Sequence, residues 1–171
     1  ELNRILKPDG RLILTTPNYS MLRARLSYFL GESEYASKKM PPNEIESIWF
    51  SDGAGSELYY GHLFLIGIQK LRTFGKIAGF RINKVHHHRV NHTSLLLLLF
   101  IYPFILFANT LAYRRVRKDK HGREAFREIY RLSINPKILL DGHLCVEFEK
   151  ECEADEAKAK LRGKFEAGTV T

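Results

Sequence analysis

The pattern of apolar and polar positions predicts a helix, a turn and a buried strand at the start of the chain. The apolar residues among positions 1–6 fall on one helical stripe. Pro8-Asp9-Gly10 then breaks the helix, and Asp9 is a residue type that tolerates the left-handed turn conformation. Residues 11–16 follow with a continuous Leu12-Ile13-Leu14 run, which is typical of a strand buried on both faces. Because a helix is already under way at residue 1, we expect the chain to begin inside a domain.

Three blocks of the chain follow one another in the order known from one enzyme family. The first is the helix, K-P-x-G turn, apolar strand and T-P-N of residues 1–18. The second runs from Tyr60-Gly61-His62 through a predicted helix to Ala78-Gly79-Phe80, and the third is the strand at residues 142–150. Together these blocks resemble the C-terminal half of class I (Rossmann-like) S-adenosylmethionine-dependent methyltransferases.

The resemblance implies an α/β fold built on one side of that family's sheet. Strands five, six and seven would be residues 11–16, 81–85 and 143–149, with strand seven antiparallel between the other two. Strand five would then lack its usual neighbour and expose an edge. We therefore expect the chain alone to be poorly soluble and inactive.

The resemblance also implies S-adenosylmethionine as the cofactor. The family holds it on a glycine-rich turn after the first strand, because glycine lets the backbone approach the ligand closely. The local candidate, Asp52-Gly53-Ala54-Gly55, follows no predicted strand. We therefore expect no cofactor site within this chain and assign that site mostly to a preceding N-terminal part.

Candidate substrate contacts follow from the rule that open α/β sheets bind ligands at the carboxyl ends of their strands. Thr16, Asn18 and Tyr19 leave predicted strand five at that edge. Residues 30–59 would form a cap in which Trp49 offers apolar surface, and His62 follows the cap. Core packing for Trp49 and a structural role for His62 are the alternatives. Methyl transfer needs mainly in-line positioning of the reactants, so catalytic residues stay unassigned.

A long apolar stretch separates the last two predicted strands. Residues 93–113 carry no charge, and 21 positions are enough for one membrane-spanning helix. A single span would place strands six and seven on opposite sides of the bilayer, which a shared sheet excludes. Two arrangements remain. One is a shallow or re-entrant hairpin bent at Pro103, with Asn109 as a turn former. The other is a helix pair buried against the domain.

Basic residues cluster directly after the apolar stretch. Residues 114–131 hold eight Arg or Lys against three acidic residues, a net charge of +5 out of +8 for the chain. They predict a basic amphipathic helix, which suits the headgroup region of an anionic membrane. A solvated helix packed on the domain is the alternative. The candidate membrane contacts are Leu97, Phe100, Phe104, Arg114, Arg115 and Arg117.

The sequence favours other partners less. The positive charge is not interleaved with exposed aromatic residues, so nucleic acid is not a favoured partner. Adjacent side chains of His86-His87-His88 would point to opposite faces of a strand, so together with His92 they predict a surface cluster rather than a metal site. Cys145 and Cys152 have no metal-binding spacing and indicate a reducing, cytoplasmic compartment.

The sequence thus predicts three parts. They are a partial methyltransferase domain at residues 1–92 and 137–150, an apolar and basic helical insertion at 93–136, and a polar tail at 151–171. The expected activity is methyl transfer to a small-molecule or lipid-like acceptor by a protein peripheral to, or monotopic in, the membrane. A non-catalytic membrane-binding module or another Rossmann-like enzyme is the competing interpretation.

Overall fold

The described part of the chain is a mixture of helices and short strands. The computed structural model describes residues 1–33, 40–45, 48–50, 58–60, 65–118 and 122–168. These ranges hold seven helices and five strands. In chain order they are α1 (Leu2–Ile5), β1 (Arg11–Pro17), α2 (Leu22–Gly31), β2 (Ile48–Phe50), β3 (Leu58–Tyr60), α3 (Ile68–Ile77), β4 (Phe80–His86), α4 (His92–Val116), α5 (Arg123–Ile134), α6 (Pro136–Leu140), β5 (His143–Lys150) and α7 (Ala154–Gly168).

The main sheet has three strands in the order β1-β5-β4, and β5 runs antiparallel to both neighbours. β1 pairs with β5 from Arg11 opposite Glu149 to Pro17 opposite His143. β4 pairs with the other edge of β5, and its register shifts once, at Asn83. The strand order and directions predicted for these three segments are confirmed. A separate antiparallel pair, β2 with β3, is not predicted by the sequence pattern.

The hydrophobic core lies between one face of the main sheet and the helices α3, α5 and α6. Alternate residues of β5 enter it, because successive side chains of a strand point to opposite faces. α3 comes closest at Gly75, where an added Cβ would lie 2.7 Å from the ring of Phe148. The buried members of the core are Ile68, Leu71, Phe80, Leu132, Ile138, Leu144, Val146 and Phe148.

The first and last parts of the described chain meet at the turn between α3 and β4. Gly79 in this turn has a φ of +81°, and its carbonyl accepts hydrogen bonds from the N–H groups of Glu151 and Cys152. The side-chain amide of Asn3 donates to the carbonyls of Ala78 and Cys152, at 2.7 and 2.9 Å. An added Cβ on Gly79 would lie 2.3 Å from the Cys152 oxygen, so the turn requires glycine.

A buried ammonium group anchors α1 to the end of β5. Lys150 Nζ donates to the carbonyls of Asn3 and Leu6, at 2.8 and 2.9 Å, and pairs with Glu153 at 2.6 Å. The last carbonyls of a helix have no partner within the helix, so the ammonium satisfies groups that would otherwise be unpaired. The four-residue α1 is thereby held against the sheet.

β1 is buried on one face only, so the predicted burial on both faces is wrong. Leu12 and Leu14 pack against the core, whereas Ile13 is 60% exposed. Within the described residues, no helix covers the face on which Ile13 lies, and the second edge of β1 has no strand partner. At the preceding turn, Asp9 adopts the expected left-handed conformation, with a φ of 58°.

α4 is one continuous helix of 25 residues, so the predicted hairpin bend at Pro103 is wrong. Pro103 lies on the exposed side of the helix. Asn109 forms no turn, because its side chain donates to the Ile105 carbonyl at 2.8 Å within the same helix. The prediction of a buried helix pair is wrong about burial. α4 does pack against α5, but no residue of its most apolar 18-residue window is buried.

The basic residues after the apolar stretch divide between two helices instead of forming the one predicted. Arg114 and Arg115 belong to the last turn of α4, where positive charge interacts favourably with the helix dipole. α5 begins at Arg123. Arg123, Arg127 and Arg131 are exposed along one side of α5.

Candidate functional site

A buried asparagine directly after β1 bonds the carboxyl end of this strand to a neighbouring segment of the chain. Asn18 is 2% exposed, and its side-chain amide donates to the carbonyls of Ile138 and Asp141, each at 2.7 Å. Its Oδ1 accepts from the N–H of Ser20 at 2.8 Å, and its own N–H donates to the Gly142 carbonyl. The side-chain amide of this predicted substrate contact therefore joins the end of β1 to α6 and to the turn before β5.

A buried carboxylate organises the connection that leaves the neighbouring end of β4. Asp141 is 3% exposed and precedes β5 in a short turn. Its Oδ2 accepts from the N–H groups of His88 and Arg89 and lies 3.1 Å from Nδ1 of His87. Its Oδ1 accepts from the N–H of His143 at 3.2 Å. Asp141 thus fixes the path of the chain into α4.

Tyr19 is the predicted contact that keeps an aromatic surface at this edge. It is half-buried, packs edge-to-face on Tyr28 with ring centres 6.0 Å apart, and has Lys70 Nζ 5.9 Å from its ring centre. Burial lowers the pKa of the nearby Arg25 guanidinium below its ordinary value. Thr16 is also half-buried, next to the end of β1.

Two of the predicted site residues have side chains that lie outside the described part of the structure. Trp49 lies on β2, with its backbone opposite Tyr59, and its side chain is outside the described part of the structure. His62 lies outside the described residues, as does the glycine-containing segment at 52–55. β2 ends at Phe50, two residues before that segment, so the expectation that no strand precedes it is wrong.

The sheet face opposite the core carries charged side chains. Glu147 on β5 is 8% exposed and receives His86 Nε2 at 2.9 Å, Asn83 Nδ2 at 2.8 Å and a guanidinium nitrogen of Arg11 at 3.3 Å. The His86 and Asn83 bonds, with a further contribution from Arg11, hold the pKa of the Glu147 carboxyl below its ordinary value of 4.5. This cluster links all three strands on the face that no described helix covers.

The histidines do not assemble as ligands. His86 bonds to Glu147, and His87 bonds to Asp141 on a different part of the sheet edge. In the described ranges, no group of three or more His, Cys, Asp or Glu side chains is placed to hold a metal ion. Cys145 and Cys152 are both free thiols.

α4 presents a long apolar surface to the outside. Its exposed positions recur as adjacent pairs four residues apart, so each pair adjoins the next and together they form one continuous exposed face along the helix. Phe100 and Phe104, both predicted membrane contacts, are 63% and 73% exposed. Leu97 is half-buried and lies off this face. The exposed face consists of Leu95, Leu96, Leu99, Phe100, Pro103, Phe104, Phe107, Ala108, Leu111 and Ala112.

The inner side of α4 is held by α5, which runs back along it. The hydroxyl of Tyr102 donates to the Ile134 carbonyl at 3.1 Å, and Thr110 bonds to the hydroxyl of Tyr130 at 3.0 Å. Tyr130 also stacks on Tyr113, with ring centres 5.0 Å apart. Because later residues of α4 meet earlier residues of α5, the two helices are antiparallel.

Positive charge surrounds the far end of this helix pair. Arg114, Arg115 and Arg117, the predicted membrane contacts, are all exposed, as is Lys118. On α5, Glu128 is partly neutralised by an ion pair with Arg72 at 2.8 Å. The same end of the molecule therefore combines an exposed apolar face with an excess of cations.

Asp141 and Glu147 are the polar residues that the sequence interpretation missed. Asp141 stands in an Asp-Gly dipeptide, which is a turn signal before a strand. Glu147 interrupts the apolar positions Val146 and Phe148, and alternation along β5 places it on the opposite face from both. Neither signal identifies the hydrogen-bond partners, which come from β4 and its following loop.

Comparison with family models, with curated proteins and with solved structures finds no match to this chain.

Proposed function

We propose that this chain forms the C-terminal part of a class I S-adenosylmethionine-dependent methyltransferase domain whose acceptor is reached at a membrane surface. The order β1-β5-β4, with β5 antiparallel to both neighbours, carries the proposal. It is the order that the resemblance implies for strands five, seven and six. A parallel crossover from β1 to β4 through α3 also suits the doubly wound sheet of that family.

The open side of β1 supports the same proposal. The edge of β1 facing away from β5 has no partner among the described strands, and Ile13 is left exposed beside it. Exposed strand edges readily pair with another strand. A preceding strand paired there, with a helix over Ile13, would complete the sheet.

The described residues would contribute substrate positioning rather than cofactor binding. Thr16 and Tyr19 stand at the carboxyl end of β1, where ligands bind in open α/β sheets. S-adenosylmethionine, when bound, supplies the methyl group, and the described residues offer no glycine-rich turn that fits it. The acceptor class that suits the exposed apolar face of α4 is a lipid-like molecule, and the place is the cytoplasmic membrane surface.

A non-catalytic membrane-binding module is the second candidate. It is favoured by one observation: Asn18 and Asp141, the most buried polar residues at the carboxyl edge, are bonded within the fold rather than directed at a ligand. On that account the sheet serves as a scaffold for α4 and α5.

The sequence that precedes Glu1 in its reading frame distinguishes the two candidates. The methyltransferase proposal predicts a strand followed by a glycine-rich turn about 80–110 residues upstream, from the usual lengths of βαβ units. A start codon directly before Glu1 would contradict it and would favour the membrane-binding module.

A further inference from the structure

We propose that the α4–α5 pair docks on one leaflet of an anionic membrane, with α4 lying along the surface and not crossing the bilayer. This inference rests on the membrane contact in the proposed function, but not on methyl transfer. By length and composition, α4 is the one helix in the described residues that could span a membrane, with a mean hydropathy of 2.2 over its most apolar window. The question is whether α4 crosses the bilayer or lies along its surface.

The exposed face of α4 is too large and too uniform for a surface left in water. From Leu95 to Leu111 it extends about 24 Å, at 1.5 Å per residue. The exposed parts of Phe100, Phe104 and Phe107 alone amount to roughly 400 Å², judged from the usual area of an aromatic side chain. With the leucines added, the face exceeds the roughly 300–600 Å² of the largest patch on a typical soluble monomer.

The course of the chain argues against a crossing helix. α4 follows β4, and α5 runs antiparallel to α4. α5 is then followed by α6 and β5, and β5 pairs with β4 in the same sheet. If α4 crossed the bilayer, α5 would have to enter the hydrocarbon beside it. Arg123, Arg127 and Arg131 are exposed on α5, and each would be costly to place at that depth. An orientation along the surface leaves these cations among the headgroups.

The charges at the end of α4 indicate an anionic lipid surface as the occupant. Arg114, Arg115, Arg117 and Lys118 are exposed directly beyond the apolar face. Apolar residues that enter the acyl boundary beside a group of cations are the features that bind interfacial helices to anionic lipid. The other end of α4 is fixed to the domain, since the buried Ser94 hydroxyl accepts from the N–H of Arg23.

Vesicle binding by the protein made from the complete reading frame that encodes this chain tests the choice of occupant. With phosphatidylserine–phosphatidylcholine vesicles, we expect Phe104→Ser with Phe107→Ser to lower the affinity by about 100-fold, because both exposed rings leave the lipid. Phe74→Ser, which removes an exposed ring from α3, is the matched control and should change it less than about threefold.

A second set of variants tests the charge. Replacing Arg114, Arg115 and Arg117 with Gln should lower the affinity by about 100-fold and weaken its dependence on salt. The same change at Lys158, Lys160 and Arg162 of α7 is the charge control. A folded protein that does not bind the vesicles would overturn the inference. So would a protein that uses the α4 face to form a dimer in vesicle-free buffer.

Depth measurements test the orientation. Spin labels at Leu96→Cys and Leu111→Cys, in a background with Cys145→Ser and Cys152→Ser, should report the same depth within a few ångströms. A crossing helix would separate the two labels by about 22 Å along the bilayer normal, at 1.5 Å per residue, and would refute it. Cofactor binding is unaffected by these outcomes, so a failure here leaves the methyltransferase proposal separately testable.

Discussion

Replacing Gly79 with Ala should destabilise the fold severely, because this glycine is required by both conformation and space. Its φ of +81° costs a residue with a side chain about 1–2 kcal/mol. The added Cβ would also lie 2.3 Å from the Cys152 carbonyl oxygen and 2.8 Å from Asn3 Nδ2. Moving those groups apart breaks the hydrogen bonds that Asn3 makes there, at about 1–3 kcal/mol for each buried group left unpaired. At the low end of these ranges, the total loss of unfolding free energy is about 3 kcal/mol.

Thermal unfolding of the protein made from the complete reading frame, followed by circular dichroism, measures this loss. A loss of about 3 kcal/mol corresponds to a Tm decrease of roughly 10 °C, which is the decrease that we expect for Gly79→Ala. Gly142→Ala is the matched control, because an added Cβ at Gly142 meets no atom within 4 Å. A Gly79→Ala protein that melts within about 2 °C of the wild type would refute the reasoning. The loss of unfolding free energy would then be only about 0.5 kcal/mol, which is too small for both the backbone strain and the steric overlap.

Two further predictions concern the charged groups of β5. Lys150→Met should cost about 2–4 kcal/mol of unfolding free energy, because it leaves two helix-end carbonyls unpaired. Lys158→Met, on the exposed face of α7, is the control and should cost less than about 0.5 kcal/mol. Equal losses for the two variants in chemical denaturation would contradict the anchoring role of Lys150. The lowered pKa of Glu147 means that its carboxylate stabilises the folded state above pH 4.5 and that this contribution disappears as the pH falls below that value. The Tm difference between wild type and Glu147→Gln should therefore be present at neutral pH and shrink in acid, with Glu124→Gln as the charge control; a difference independent of pH would contradict the pairing.

The strands of the main sheet could be predicted from the sequence because local pattern determines them. The apolar runs that begin after Gly10, Gly79 and Gly142 each follow a turn signal, and each forms a strand in the structure. The family resemblance supplied their order, since pairing between residues so far apart in the chain leaves no local trace. The burial of β1 was predicted wrongly because a continuous apolar run does not reveal whether a helix covers its second face.

The shape of α4 could not be predicted from composition. Proline removes a backbone donor, which favours a kink, but Pro103 lies on the exposed side of a helix whose inner side is held by Tyr102 and Thr110. Packing against α5 therefore keeps the helix continuous through the proline. The roles of Asp141 and Glu147 were missed for a related reason, because their partners come from other elements.

The most direct test of the proposed function is titration of S-adenosylmethionine into the protein made from the complete reading frame that encodes this chain. Calorimetry should show one molecule bound per chain, and binding should persist when the α4 face is altered by Phe104→Ser with Phe107→Ser. A folded protein from that reading frame that binds no S-adenosylmethionine would contradict the methyltransferase account.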